Sequence, residues 1–179
     1  VKNEKYILVY GMKNADNLLR FAKKIQKITN LSIIFIKDSL MKETNKSLTK
    51  NIEYKKDVSP EEWVELFLNS EYIVTNSFHG TAFSINFNKK FFTELLAPET
   101  KVNSRLENIL DMFDLRNRQI LESTIPTIED IDYKKVNKIL EEKKKISKDT
   151  VSYFTYNFAE DIQGKVGTEN GIFFKIRQL

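Results

Sequence analysis

The sequence has 179 residues and no cysteine, which excludes disulfide frameworks, zinc ribbons, iron–sulfur clusters and thiol nucleophiles. Its one histidine also excludes multi-histidine metal sites, and we predict no metal ligands in the chain. We also expect no bound cofactor. Lys and Arg number 29 against 25 Asp and Glu; a net charge of +4 on such a mixed surface gives no support for nucleic-acid binding. A hydrophobic content of 41% is enough for one sizeable core.

The hydropathy of the chain and its N-terminal residues indicate where in the cell the protein is expected. No run approaches the about 20 consecutive apolar residues that a membrane span needs, and no apolar signal core follows residues 1–5. We expect a protein in the cytoplasm, either free or at the inner face of the membrane. The chain begins with Val1 and a strand pattern follows within a few residues, so we interpret it as a piece of a longer protein.

The first part of the chain has the pattern of a strand–helix–strand unit. Residues 6–10 and 31–36 are short apolar runs typical of buried parallel strands. From Asp16, apolar residues recur every three or four positions, which predicts an amphipathic helix that stops at Asn30. Residues 37–51 have no clear periodicity and are interpreted as a loop.

A second series of elements follows. Ser59 and Pro60 are a strong start signal for a helix, because Ser caps and Pro suits the first helical position. Strands are predicted at residues 72–75 and 90–93, with an interior helix over 81–87 between them. This alternation of strands and helices predicts an α/β fold, a Rossmann-like doubly wound parallel sheet.

The last third is less regular. Ser104 is predicted to cap a helix that ends at Phe113, residues 115–121 to form a turn or short strand, and residues 132–148 a long charged helix. We predict that residues 1–157 form the Rossmann-like domain and that 158–179 are a tail or the start of a further segment.

The residues best suited to catalysis or ligand binding are near the only histidine, which follows a predicted buried strand. His79 lies on the connection that leaves residues 72–75, and ligands of open α/β sheets bind outside the carboxyl ends of the strands. Gly80 allows the backbone to approach a ligand closely, and the Ser77 and Thr81 hydroxyls beside a helix start suit an anion. An imidazole there can serve as a hydrogen-bond donor or general acid. A structural histidine at this junction is the competing interpretation.

Beyond these residue types, the sequence resembles the polysaccharide pyruvyl transferase family over about residues 4–157. The resemblance is carried by residues 59–63, by the run from Tyr72 through the His79-Gly80 motif to Ile85, and by 87–91. An Arg-containing helix follows at 104–110 and a Leu-x-x-Arg step at 115–118, as in the family.

The resemblance implies transfer of a pyruvyl group from phosphoenolpyruvate to a sugar of a polysaccharide or of a lipid-linked acceptor, which forms a pyruvate ketal. It also implies a fold similar to the two-domain GT-B glycosyltransferases, with this chain as the second, donor-side half. His79 matches the motif histidine, expected in proton transfer or phosphate binding. Arg105 and Arg118 are the candidate cations for the donor. Without the N-terminal half as a partner, we expect this chain to be inactive.

The sequence departs from the family pattern at one position, and two alternative functions remain open. Many family members have an Arg two residues before the motif histidine, where this sequence has Ser77, so one anion contact is absent or comes from elsewhere. A glycosyltransferase half that binds a sugar nucleotide is the first alternative, although Gly11 is isolated and Asp38 is a weak match for a ribose-binding carboxylate. A non-catalytic Rossmann-like interaction domain is the second.

Overall fold

A computed structural model of the chain describes residues 5–12, 14–37, 44–96, 103–121 and 123–146. The chain divides into two compact units, the first ending at Ile131 and the second beginning at Asp132. The predicted boundary after residue 157 lies outside the described residues and stays a prediction.

The elements follow one another as a βαβ fold requires. The strands are β1 Tyr6–Tyr10, β2 Ser32–Ile36, β3 Glu53–Lys55, β4 Tyr72–Thr75 and β5 Lys90–Thr93. The helices are α1 Asp16–Thr29, α2 Pro60–Asn69, α3 Phe78–Asn86, α4 Asn103–Met112 and α5 Tyr133–Ile146, with a short 3-10 helix at Arg116–Arg118. None of the described helices is both long and apolar enough to cross a bilayer.

All five strands form one parallel sheet in the order β3-β2-β1-β4-β5. Val9 of β1 pairs with Val74 of β4, which in turn pairs with Phe92 of β5. The chain therefore adds β2 and β3 on one side of β1, and then crosses over to add β4 and β5 on the other side. This is the doubly wound topology predicted from the sequence, and it is confirmed.

One face of the sheet packs on α1. The core there joins alternate strand residues such as Val9, Phe35 and Phe92 to Leu18 and Phe21 of α1. The Phe21 and Phe92 rings meet edge to face with their centroids 4.9 Å apart. Residues from every strand except the short edge strand β3 are buried in this layer, so it anchors the sheet.

The opposite face carries an aromatic cluster under α2 and α3. Trp63 stacks on Phe67 at 4.0 Å and meets Phe83 of α3 edge to face at 4.9 Å. Tyr10, at the end of β1, contacts Trp63 at 5.4 Å. The cluster fixes α3 over the central strands, because the rings of both helices interlock there.

The cap signals at Ser59 and Asn30 act as predicted, whereas Ser104 does not cap α4, because that helix already begins at Asn103. Ser59 Oγ accepts a hydrogen bond from the Glu62 amide at 3.2 Å, and Pro60 is the first residue of α2. Asn30 ends α1 in the left-handed region, with φ of 58°, and its amide donates to Gln26 O. In the second unit, the Asp132 side chain accepts from the Lys135 amide at 3.2 Å, just before α5. The predicted end of that helix at 148 lies outside the described residues.

Two further details of the prediction were wrong. The end of the predicted loop is followed by a strand, β3, which is short, partly exposed and at the edge of the sheet, so it lacks an apolar run. Helix α3 begins at Phe78 rather than Thr81, which places His79 inside its first turn. The predicted turn or short strand at residues 115–121 agrees with the structure, because Gln119 forms a parallel bridge with Thr93 there.

Gly80 explains how α3 begins so close to β4. A Cβ at this position would lie 2.4 Å from Thr75 Oγ1 and 3.1 Å from Thr75 Cβ. Both residues are buried, so the clash could not be relieved by moving a side chain into solvent. The hydrogen atom of glycine is what lets the first turn of α3 rest on the end of the strand.

Gly80→Ala is therefore expected to destabilise the fold by about 1–3 kcal/mol, the usual cost of overpacking a filled interior. Urea unfolding of the single variant, of Thr75→Ala and of the double variant measures the coupling. The double variant should lose less stability than the two single losses added, because Thr75→Ala removes Oγ1 and Cγ2 from the clash. Strict additivity would show that Thr75 is not what Gly80 must avoid.

Candidate functional site

The candidate site lies at the carboxyl edge of the sheet. Here β1, β4 and β5 end at Tyr10, Thr75 and Thr93. The strand order reverses between β1 and β4, and such a switch point is where open α/β sheets form a crevice for ligands.

The side chain of Asn76 bridges this crevice. Its Oδ1 accepts from the Met12 amide at 2.6 Å, and its Nδ2 donates to Met12 O and Asn14 O, both at 3.2 Å. Asn76 is 2% exposed. The protein thus uses its own amide to tie the β1–α1 loop to the end of β4, at the place where a dinucleotide fold keeps a phosphate-binding loop.

Gly11 belongs to the same close approach. A Cβ there would lie 2.7 Å from Leu18 Cδ1 and 3.4 Å from Asn76 Oδ1. Gly11 therefore serves the packing of the loop against α1 and Asn76. Asp38, the candidate ribose-binding carboxylate, lies outside the described residues.

The hydroxyls predicted to contact substrate take part in bonds inside the fold. Ser77 Oγ caps α3 by accepting from the Gly80 amide at 3.4 Å. Thr81 Oγ1 donates to Ser77 O at 3.1 Å and lies 3.0 Å from Thr93 Oγ1, which ties α3 to β5. Both side chains are buried, at 1% and 0% exposure. Their positions, like that of Gly80, explain how α3 is held; a role as substrate contacts stays a prediction.

His79 and Arg105 both lie near the ring of Phe78. His79 is partly exposed in the first turn of α3, and its ring lies 5.9 Å from that of Phe78, nearly perpendicular to it. The guanidinium carbon of Arg105 lies 5.1 Å from the centre of the same Phe78 ring. Arg105 is exposed in the first turn of α4, which packs on α3. The structure thus brings two of the predicted site residues to one place, with a cation and an imidazole at a helix N-terminus.

Arg118 has different surroundings. It is 4% exposed, and its guanidinium lies within 3.4–3.5 Å of Thr127 Oγ1, Glu129 O and Asp130 O. It also lies over the Phe92 ring, 5.6 Å from the centroid, on the face of the sheet that α1 covers. These contacts anchor residues 127–130 to the sheet, and a role for Arg118 in donor binding stays a prediction.

Sequence reasoning missed Glu94, which directly follows β5. Its amide donates to Thr75 O at 2.9 Å, and its Oε1 accepts from Asn17 Nδ2 of α1 at 2.9 Å. Burial raises the pKa of the Glu94 carboxyl above its usual value, while the Asn17 hydrogen bond and the charge of Arg20 oppose the rise. A partly buried carboxyl with a raised pKa at the carboxyl edge is a candidate for chemistry.

A simple signal could have found both missed residues. Asn76 and Glu94 are each the first residue after a buried parallel strand, where side chains meet at the ligand-binding edge. Within the described residues, no group of three or more Asp, Glu or His side chains is placed to hold a metal ion.

Fold and site together define a Rossmann-like α/β domain whose polar groups gather at the carboxyl edge of β1, β4 and β5. A family model described as polysaccharide pyruvyl transferase matches residues 1–93, which is just over half of the chain and includes the His79 segment. The chain belongs to the polysaccharide pyruvyl transferase family, as its resemblance predicted. No curated protein matches the sequence significantly.

Solved structures to which this chain has some similarity include two of UDP-GlcNAc 2-epimerase from Methanocaldococcus jannaschii. The first has a TM-score of 0.46 and 18% identity, covering 79% of this chain and 39% of that one. The second, in complex with UDP-GlcNAc and UDP, has a TM-score of 0.44 and 17% identity, covering 77% and 44%. S. aureus MnaA with UDP has a TM-score of 0.44 and 15% identity, covering 81% and 37%. This chain spans about two fifths of the length of these structures.

The raised pKa of Glu94 predicts how stability depends on pH. A pKa above the usual 4.5 means that the folded state favours the neutral carboxyl, so the stability from Glu94 is lost as pH rises through the folded pKa. Glu94→Gln keeps an acceptor for Asn17 and cannot ionise. Its free energy of unfolding relative to wild type should therefore rise between about pH 4 and about pH 8.

Urea unfolding at both pH values measures this difference. Glu71→Gln is the matched control: Glu71 forms an ion pair with Lys90 at 3.2 Å at the amino edge of the sheet, so removing its charge removes an attraction and should not stabilise the protein. An equal response of the two variants to pH would contradict the burial effect at Glu94.

Proposed function

We propose that this chain is the donor-binding half of an enzyme that transfers a pyruvyl group from phosphoenolpyruvate to a sugar of a cell-surface polysaccharide or its lipid-linked precursor, forming a ketal. Membership of the polysaccharide pyruvyl transferase family supports the reaction class. The observation that carries the site assignment is that Arg105, from α4, lies over the Phe78 ring beside His79, in the first turn of α3 at the carboxyl edge of the sheet.

The donor's chemistry fits these groups. Phosphoenolpyruvate has a phosphate and a carboxylate, and a guanidinium binds either in a bidentate manner. Arg105 is exposed, and the Phe78 ring supports its planar head group. The N-terminus of α3 adds a favourable field for an anion next to it.

His79 is the proposed acid. Formation of the ketal requires a proton on the methylene carbon, so that C2 becomes an oxocarbenium-like centre that an acceptor hydroxyl attacks. An imidazolium in the first turn of α3 would supply this proton, and the anionic donor beside it favours the protonated ring. Ser77, where relatives often have an arginine, caps the helix; Arg105 reaches the same turn from α4 and is proposed to supply the anion contact.

The two alternatives have less support. A dinucleotide or sugar-nucleotide site at the switch point would need a phosphate loop after β1, yet Asn76 occupies that place and Gly11 is packed against Leu18. A non-catalytic interaction domain would not need an exposed arginine and a histidine around one ring. Saturable binding of the donor and phosphate release distinguish it from an enzyme.

We also propose that the whole enzyme has a second, N-terminal half that forms the other wall of a GT-B-like cleft and holds the acceptor sugar. The chain by itself would then bind phosphoenolpyruvate without turnover. Titration of the chain with phosphoenolpyruvate, followed by amide shifts, should perturb residues 76–82. Phosphate release should require the full-length protein and an acceptor saccharide. Absence of both binding and release would refute the proposed function.

His79→Ala in the full-length protein should lower kcat by about 10²- to 10⁴-fold, the usual contribution of a general acid. Phosphate release from phosphoenolpyruvate measures it. Asn86→Ala is the matched control, because Asn86 is exposed at the other end of the same helix and bonds only to Ala82 O among the described residues. A His79→Ala variant with wild-type kcat would remove His79 from the chemistry.

Arg105→Ala should raise the KM for phosphoenolpyruvate by about 10- to 100-fold, since a charge-assisted hydrogen bond to the donor is lost. Arg105→Lys should recover only part of the affinity, because lysine lacks the planar fork. Arg116→Ala is the control: Arg116 is also exposed but is paired with Asp111, with Nη2 2.6 Å from Oδ2. Equal KM values for the Arg105→Ala and Arg116→Ala variants would argue against donor binding by Arg105.

A further inference from the structure

The proposed reaction moves two protons, and His79 accounts for one. When two hydroxyls of the acceptor form two bonds to C2, the C2=C3 pair takes up a proton to give a methyl group and the bond from C2 to the phosphate oxygen breaks. Of the two hydroxyl protons, one balances the proton placed on C3 and the other leaves with the phosphate as hydrogen phosphate. A group that accepts a hydroxyl proton is therefore needed in addition to the acid.

We propose that Glu94 is this second proton-transfer residue: its carboxylate takes the proton from the attacking acceptor hydroxyl and passes it to the departing phosphate. This inference rests on the proposed function and adds a catalytic base to it. No step of the argument for His79 or Arg105 uses Glu94.

The position of Glu94 supports this role. Thr93, the last residue of β5, pairs with Thr75, the last residue of β4, and the Glu94 amide then donates to Thr75 O at 2.9 Å. Glu94 thus stands one strand away from the segment that leads into His79. The Thr81–Thr93 hydroxyl contact at 3.0 Å ties the first turns of α3 to the same strand end. Backbone and side-chain bonds therefore hold the two titratable residues at one edge.

The carboxylate is also oriented. Arg20 Nη1 donates to Asn17 Oδ1 at 2.6 Å, which fixes the orientation of the Asn17 amide. The amide Nδ2 is then the atom that faces Glu94, and it donates to Glu94 Oε1 at 2.9 Å. Among the described residues, Asn17 is the side chain that donates to this carboxylate. The protein thus holds one carboxylate oxygen in place, and in the proposed step the other takes the hydroxyl proton.

The electrostatics suit a base. A carboxylate is a weak base at its ordinary pKa, and burial raises the pKa of Glu94 toward the working range. Arg20 of α1 is the charged group that bears on it within the described residues, and it acts in the opposite direction, as does the Asn17 hydrogen bond. On the β4 side, its neighbours Thr75 and Asn76 carry no charge.

The pH profile of kcat/KM in the full-length protein tests the proposal. Wild type should lose activity at low pH, in an acid limb that reports protonation of Glu94. Glu94→Gln should lower kcat by about 10²- to 10⁴-fold and abolish the acid limb. Asn17→Ala should move the acid limb to higher pH, because the bond that holds the pKa down is lost. Glu71→Gln, the same change at the amino edge, should leave the profile unchanged.

The outcomes separate this inference from the proposed function. A wild-type protein that releases no phosphate from phosphoenolpyruvate in the presence of acceptor refutes both. An active wild type whose activity is lost with His79→Ala, while Glu94→Gln keeps the rate and acid limb of wild type, refutes only the role of Glu94. A purely structural bridge between α1 and β5 would change the unfolding midpoint of the Asn17→Ala variant and leave its acid limb in place.

Discussion

The close approach of α3 to the end of β4 is the constraint on which the site depends. It exists because position 80 has no Cβ to meet Thr75. With the helix that close, Ser77 caps it, Thr81 reaches Thr93, and His79 falls in the first turn at the carboxyl edge. The same small set of buried bonds links β4, α3 and β5, so the positions of His79 and Glu94 are fixed together.

Asn76 supplies the complementary constraint on the other side of β4. Its three hydrogen bonds hold the β1–α1 loop against the strand end and satisfy backbone groups that an open loop would leave to a ligand or to water. A Rossmann-like sheet of this order ordinarily offers its ligand crevice there. In this chain the partly or fully exposed polar groups His79, Arg105 and Glu94 lie instead toward β4 and β5.

The sequence could predict the elements whose signals are local. Four strands are apolar runs, α1 ends at a left-handed Asn30, and α2 begins at the Ser59 cap, so each is specified by neighbouring residues. Strand β3 was not predicted, because an edge strand needs no apolar run and this one pairs only with β2. The start of α3 was placed too late because Gly80 suggests a turn; its reason for being glycine is a contact with Thr75 that depends on tertiary packing.

The site, too, could be predicted from the sequence only in part. The resemblance brought His79 and Arg105 together, but nothing local distinguishes Arg105, exposed over Phe78, from Arg118, buried over Phe92. What distinguishes them is topology. In a parallel sheet, each helix that follows a strand begins at the carboxyl edge, so Asn17, His79 and Arg105, in the first turns of α1, α3 and α4, arrive there from different parts of the chain. Because α1 and α3 cover opposite faces of the sheet, Glu94 with Asn17 and His79 with Arg105 approach the edge above β4 and β5 from two sides. For the proposed reaction, this topology would bring the acid and the base to the sheet edge from opposite faces, each carried by its own helix contact.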